Sequence, residues 1–99
     1  MKTYVFDNTN PYWSNDKKEY NGLFLRAQQC YFNDKLHAYG FVDFNDVLDH
    51  LGFPVDDSLN DWRWILDGED GPVYVDFGIE EDMNTRFYNL HFNIEDGSI

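Results

Sequence analysis

The chain has 99 residues and a formal net charge of −12, with 19 acidic residues against seven lysines and arginines. This length accommodates one domain, over residues 1–99, and the negative charge makes direct binding to nucleic acid unfavourable because phosphates would be repelled. Aromatic residues make up 19% of the sequence. Acidic disordered chains are poor in aromatics, so this composition indicates a folded domain with an aromatic core.

The sequence contains one cysteine, Cys30, which excludes an internal disulfide. Folding therefore does not depend on an oxidising compartment. The N-terminal apolar run is too short for a signal peptide, and no segment approaches the ~18 apolar residues of a membrane span. We therefore expect a cytoplasmic protein.

The first predicted elements are an edge strand at residues 3–6 and a helix over residues 22–39. Asn21 is expected to cap the start of the helix, and Gly40 lies where a left-handed C-terminal residue belongs. At 100° per residue the apolar side chains form two stripes, which predicts burial on two sides. The broad stripe contains Leu23, Phe24, Ala27, Cys30, Tyr31 and Ala38, and the second contains Leu25, Phe32 and Leu36.

A second helix is predicted over residues 44–51, with Asp43 as its N-cap and Gly52 as its terminator. After this helix the apolar period changes to two, in segments 62–66, 73–77 and 89–94. Three alternating segments joined by loops indicate an antiparallel meander with one buried face. The predicted fold class is α+β, with two helices packed on a small three- to four-stranded antiparallel sheet.

The negative charge is concentrated in the second half of the chain. Residues 51–99 carry twelve acids, opposed by Arg63 and Arg86, and are ten units negative, whereas residues 1–50 are two units negative. Such a field suits a basic partner surface, and the basic surfaces of proteins most often bind nucleic acid. The predicted partner-binding residues are Asp67, Glu69, Asp70, Asp76, Glu80, Glu81 and Asp82.

The sequence gives little indication of catalysis. It has no phosphate-binding glycine motif and no arrangement typical of a serine triad, so we expect no enzyme activity and no catalytic residues. Cys30, Asp34 and His37 are spaced by four and three residues, which puts them on one helical stripe. They could hold zinc with a fourth ligand such as His50 or His91. The favoured interpretation is a buried structural Cys30 and no cofactor.

Several short motifs follow one another along most of the chain. They are Phe24-Leu25-Arg26-Ala27-Gln28, Tyr31, Asn33-Asp34, Gly40-Phe41, Asn45-Asp46-Val47, Leu51-Gly52-Phe53-Pro54, Trp64-Ile65, Val75-Asp76-Phe77-Gly78 and Phe92-Asn93-Ile94. On these motifs, residues 19–96 resemble a small uncharacterised family encoded by phages and conjugative elements of Gram-positive bacteria. Cys30 departs from the family pattern at a position where asparagine is expected. The resemblance implies a mobile-element origin and no known activity.

A mobile-element origin, small size and acidity together are similar to anti-CRISPR proteins. We therefore expect an inhibitor of a basic, nucleic-acid-binding host defence protein, such as a CRISPR effector nuclease. The carboxylates would stand in for phosphates, and exposed aromatics such as Trp13, Tyr74 or Tyr88 would add contacts. The alternatives are an accessory interaction module of a mobile element or a small metal-binding domain.

Overall fold

The structure, a computed structural model, describes residues 2–66 and 74–94. Strand β1 comes first, the long helix α1 follows, and the remaining elements are short. In chain order they are β1 (Lys2–Phe6), α1 (Lys18–Tyr39), β2 (Phe41–Asp43), α2 (Phe44–His50), a 3-10 turn (Asp57–Leu59), β3 (Arg63–Ile65), β4 (Ile79–Glu81) and β5 (Tyr88–Phe92). Neither helix of the described ranges is long and apolar enough to cross a membrane.

The strands form two antiparallel sheets. One has the order β1-β5-β4, with Leu90 of β5 lying between Tyr4 of β1 and Ile79 of β4. The other pairs β2 with β3 and sets Val42 opposite Trp64. The predicted α+β class, with two helices and a small antiparallel sheet, is confirmed. The predicted meander is wrong in its first strand, because β3 pairs with β2 in a separate sheet and not with residues 74–78.

Segment 74–78 is extended but is not part of a sheet. The buried face predicted from its alternating apolar residues is confirmed, since Val75 and Phe77 are fully buried. On one edge its backbone bonds to the end of β5, with the Asn93 nitrogen donating to the Asp76 oxygen at 3.1 Å and the His91 nitrogen donating to the Gly78 oxygen at 3.3 Å. On the other edge, side-chain amides of α1 take the place of a partner strand. Asn33 accepts a hydrogen bond from the Val75 nitrogen and donates one to the Val75 oxygen, both at 2.8 Å. Gln29 accepts one from the Phe77 nitrogen at 2.8 Å. Hydrophobic periodicity therefore predicted the buried face, whereas the groups that hydrogen-bond to the backbone depended on tertiary contacts.

Replacing Asn33 by alanine should cost about 2–4 kcal/mol of unfolding free energy, because it leaves a backbone donor and acceptor of buried Val75 without their partner. Urea unfolding followed by circular dichroism measures this loss. Gln28→Ala is the matched control, since Gln28 lies on the same helix and makes no side-chain hydrogen bond within the described residues. Equal stability of the two variants would contradict the role assigned to Asn33.

Helix α1 begins at Lys18, four residues before the predicted start. Asn21 is not its cap but a buried residue of the first turns, where its amide accepts from the Ser14 nitrogen at 2.8 Å and donates to the Ser14 oxygen at 3.0 Å. The amide therefore ties the preceding loop to the helix. The C-terminal end matches the prediction, because Gly40 has a left-handed φ of 88°.

The two apolar stripes of α1 differ in burial. Leu25, Phe32 and Leu36 are fully buried, so the second predicted stripe faces the core. The broad stripe is largely exposed, and only Phe24 in it is half-buried. The predicted buried position of Cys30 is therefore wrong. The periodicity correctly shows two apolar faces, but the described protein covers only one of them.

Helix α2 begins directly after Asp43, and Gly52, with a φ of 85°, follows its last turn. Both ends agree with the prediction to within one residue. The Asp43 carboxylate makes no capping hydrogen bond. It lies 3.3 Å from the Nε of Arg63, on the partner strand of β2, and so links the start of α2 to the two-stranded sheet.

Candidate functional site

The structure describes four of the seven predicted partner-binding acids. Asp67, Glu69 and Asp70 lie outside the described residues. Asp76 lies in the extended segment 74–78, and its carboxylate accepts a hydrogen bond from the nitrogen of Gly78 at 2.8 Å. Asp76 therefore stabilises a local turn.

Glu80, Glu81 and Asp82 were predicted in a connection, but the first two belong to strand β4. Glu81 pairs with Arg86 across the hairpin. Asp82 accepts hydrogen bonds from the backbone nitrogens of residues 84 and 85 at 2.8 and 3.3 Å. Glu80 is the most accessible, with its side chain 67% exposed and 3.5 Å from His91. We call Glu80, Glu81 and Asp82 the β4 acidic edge.

The aromatic residues expected to be exposed divide into three cases. Tyr74 is 59% exposed, as predicted. Tyr88 is buried, so its predicted exposure is wrong. Trp13 is half-buried and packs against Tyr88, with 6.5 Å between ring centroids. Tyr88 lies on the central strand β5 and therefore belongs to the core. Its position next to polar Asn89 in the sequence gave no indication of this burial.

A concave surface that the sequence reasoning missed lies beside α2. It is a groove of about 520 Å³, which we call the acidic groove. Its acids follow one another at intervals of three residues, so the helix places them on one face. This spacing is visible in the sequence, but the modest net charge of residues 1–50 gave no indication of an acidic surface there. The groove is lined by Asp43, Asn45, Asp46, Asp49, Val55 and Asn60.

A second groove, of about 430 Å³, shares Asp43 and Asp46 with the first. We call it the aromatic groove. Tyr39 is 70% exposed there, and the Arg63 guanidinium lies 5.6 Å from the centroid of the Phe41 ring. Aromatic side chains with this exposure offer apolar contact area to a partner. The aromatic groove is lined by Tyr31, Lys35, Tyr39, Phe41, Val42, Asp43 and Asp46.

Ion pairs fix the carboxylates at the border between the grooves. Asp46 lies 2.6 Å from the Nζ of Lys35 and 3.4 Å from the Nδ1 of His50. The pairing of Asp43 with Arg63 holds the other border carboxylate. Asp49 is exposed and makes no ion pair within the described residues. The acidic groove therefore combines two carboxylates held by ion pairs, on Asp43 and Asp46, with the unpaired carboxylate of Asp49, which is free to meet a cation.

Asn45 ties a loop that carries further acids to helix α2. Its amide donates to the Asp56 oxygen at 2.9 Å and to the Asn60 side chain at 2.8 Å, and it accepts from the Asp56 nitrogen at 3.2 Å. These bonds hold loop 56–61 against α2. Asp57 and Asp61, both exposed, belong to this loop. The negative charge predicted for this loop therefore adds to that of the groove.

Among the described residues, three groups have pKa values above their ordinary ones. The hydrogen bond to Asp46 raises the pKa of Lys35 above 10.5, because it favours the charged ammonium. Burial raises the pKa values of Tyr4 and Tyr88 above 10.0, because it disfavours the phenolate. Negative charge, on Asp56 near Tyr4 and on Glu81 near Tyr88, acts in the same direction.

We expect the protein to lose stability in alkali. All three raised pKa values mean that the folded chain holds more protons than the unfolded chain above about pH 10. This contribution to stability is complete below the unfolded values and is lost as pH rises through the folded ones. Urea unfolding at pH 8, 10 and 11 measures it. Tyr88→Phe should reduce the loss, whereas the exposed control Tyr74→Phe should retain it. An unfolding free energy that rises from pH 8 to pH 11 would contradict this assignment.

The alternative zinc site is not supported by the described part of the chain. Cys30 and Asp34 are exposed, and the Nδ1 of His37 lies 2.9 Å from the backbone oxygen of Asn33. Within residues 2–66 and 74–94, no group of three or more histidine, cysteine or acidic side chains is placed to hold a metal ion. His50 and His91, considered as fourth ligands, contact Asp46 and Glu80 instead.

Comparison with known proteins identifies one relationship. The model of a family described as "Family of unknown function (DUF6353)" matches residues 1–97, so the chain belongs to that family. No curated protein and no solved structure matches the chain.

Proposed function

We propose that this DUF6353 protein is a stoichiometric inhibitor that docks its acidic face onto the basic surface of a nucleic-acid-binding defence protein. The proposed partner is a CRISPR effector nuclease, which places the protein in the cytoplasm of a bacterial host. The observation that carries the proposal is the acidic groove, which joins the aromatic groove at Asp43 and Asp46. One face thus combines carboxylates with exposed tyrosines.

The chemistry of this face suits arginine and lysine side chains. Carboxylates form strong charge-assisted hydrogen bonds with guanidinium and ammonium groups, as phosphates do. Exposed rings such as that of Tyr39 provide contact area and cation–π attraction for the same side chains. Lys35 and Arg63 already hold the border carboxylates in place, so a partner would meet them preorganised.

The β4 acidic edge is the weaker candidate surface. Glu81 and Asp82 already stabilise their own hairpin, which leaves Glu80 as the most accessible charge of the three. Its residues also line neither of the two grooves. We therefore assign the main contact to the acidic groove and an auxiliary contact to Glu80.

A cleavage assay tests the proposal. The protein is titrated into a Cas9-type nuclease loaded with guide RNA, and cleavage of a matched target DNA is followed. We expect inhibition that is complete at a fixed molar ratio, because a binding inhibitor occupies one surface per nuclease. Unchanged cleavage at a large molar excess would contradict the proposal. Complete inhibition by far less than one equivalent would indicate catalysis and would also contradict it.

A further inference from the structure

The aromatic groove is built from one face of α1 and from the strand that follows this helix. Tyr31, Lys35 and Tyr39 recur at intervals of four residues, so the helix places them on the same side. Gly40 then ends the helix, and Phe41 of β2 adds a further ring to the lining. The volume of about 430 Å³ lies within the ~300–1,000 Å³ of sites that hold small ligands. The groove is therefore large enough to take one side chain of a partner.

Asp43 presents to this groove a carboxylate that lacks a hydrogen-bond donor. Its Oδ1 lies 3.3 Å from the Nε of Arg63, but both atoms are buried and neither has a hydrogen-bond partner in the described structure. Buried polar atoms of folded proteins are normally hydrogen-bonded, and a carboxylate can accept about four such bonds. Because the Asp43 side chain as a whole is 42% exposed, a donor from a partner can reach its carboxylate.

Arg63 shows which kind of group this surface binds. Its guanidinium lies 5.6 Å from the centroid of the Phe41 ring while its Nε faces Asp43, so the cation combines a ring with a carboxylate. The groove contains a second ring of this kind. Tyr39 is 70% exposed, and no cation lies over its ring in the part of the chain that the structure describes. The Tyr39 ring is therefore available to a cation from outside.

The local charge balance favours one type of cation. Lys35 pairs with Asp46 at 2.6 Å and Arg63 pairs with Asp43, so net charge within the groove attracts a further ammonium group only weakly. A guanidinium gains more from the same surface. It is planar and weakly hydrated, and it can stack on a ring while its edge donates hydrogen bonds to a carboxylate. The groove therefore suits arginine better than lysine.

We propose that the aromatic groove binds one arginine side chain of the partner, with its guanidinium stacked on Tyr39 and donating to the Asp43 carboxylate. Tyr39 and Asp43 then determine a preference for arginine over lysine. This inference rests on the proposed function for the source of the arginine, which is the basic surface of the nuclease. It adds to that function the type of side chain that the partner must supply at this position.

Two peptides of equal charge, hexa-arginine and hexa-lysine, test the preference without the nuclease. Isothermal titration into the full chain at about 100 mM salt should give an affinity for hexa-arginine at least about threefold higher. Tyr39→Ala should remove this preference, because the ring is lost, whereas Tyr39→Phe should retain it. Tyr74→Ala is the matched control, since Tyr74 is 59% exposed and lines neither groove, and it should also retain the preference. Equal affinities for the two peptides, or a preference that persists in Tyr39→Ala, would overturn the proposal.

Titration of the same variants into guide-loaded nuclease separates this inference from the proposed function. Tyr39→Ala should weaken binding about 3- to 10-fold, and Tyr74→Ala by less than about twofold. Circular dichroism establishes that each variant is folded. Wild-type affinity of Tyr39→Ala for the nuclease would overturn the arginine site and leave the proposed function standing. A wild-type chain that prefers hexa-arginine but does not bind the nuclease would support the arginine site and contradict the proposed function.

Discussion

Charge reversal at the acidic groove and in the adjoining loop 56–61 is expected to weaken binding to the nuclease by about 10- to 100-fold, or ~1–3 kcal/mol. The variant is Asp49→Lys combined with Asp57→Lys. Both side chains are exposed, and Asp49 makes no ion pair in the described structure, so the fold should persist. The loss arises because each new ammonium group faces arginine or lysine of the partner. Isothermal titration of the variant into guide-loaded nuclease measures it.

Two comparison variants locate the effect. Asp16→Lys makes the same kind of charge change in the loop before α1, away from both grooves, and should alter affinity by less than threefold, or ~0.6 kcal/mol. Glu80→Lys tests the β4 acidic edge and should have an intermediate effect. If only Glu80→Lys weakens binding, the working surface is the β4 edge. If none of the variants does, the idea that carboxylates replace phosphates is wrong.

Truncation of Phe92 should cost about 3–5 kcal/mol of unfolding free energy, a large part of the stability of a small domain. Phe92 is fully buried at the centre of the molecule. Its ring meets Phe44 of α2 at 5.1 Å between centroids, Phe77 of the extended segment at 5.3 Å and Tyr4 of β1 at 5.7 Å. Phe92→Ala therefore removes the contacts that join the three-stranded sheet to α2 and to segment 74–78. Urea unfolding measures the loss.

Phe41→Ala is the control for this experiment, because it makes the same chemical change at a ring that is 44% exposed. Its cost should stay near 1 kcal/mol, since less apolar area is lost and no enclosed cavity is left. Similar losses for the two variants would show that the aromatic cluster around Phe92 is not the centre of the core.

Local signals in the sequence predicted several helix ends. Gly40 ends α1, and Asp43 and Gly52 delimit α2, because these residues suit the backbone conformations found at helix ends. The start of α1 was placed four residues late. Asn21 has the side chain of a cap, but here it binds the backbone of Ser14 from inside the helix. Residue type alone does not distinguish these two uses of an asparagine.

Pairing of strands could not be predicted in the same way. Segment 74–78 has the alternation of a strand, and its inward residues Val75 and Phe77 are indeed buried. On one edge its backbone bonds to His91 and Asn93 at the end of β5, as a strand partner would. On the other edge its partners are the side chains of Asn33 and Gln29, more than forty residues earlier in the chain. Hydrophobic periodicity reports which face is buried and carries no information on which group satisfies the backbone.

The candidate site was predictable only in its general character. Composition correctly suggested an acidic protein with loops rich in carboxylates. The acidic groove, however, depends on Asn45 holding loop 56–61 against α2, which is a contact between separate parts of the chain. The aromatic groove likewise depends on Tyr39 and Phe41 lying beside Asp46. The spacing of Asp43, Asp46 and Asp49 was visible in the sequence, but the concavity was not.

Competition with nucleic acid tests the central claim most directly. Fluorescence anisotropy of labelled target DNA, bound to the guide-loaded nuclease, is measured as the unlabelled protein is added at about 50 and 300 mM salt. We predict that the protein displaces the DNA, that it needs a higher concentration to do so at high salt, and that it does not bind the DNA alone. Undisturbed DNA binding, or a protein that binds the DNA itself, would contradict the account.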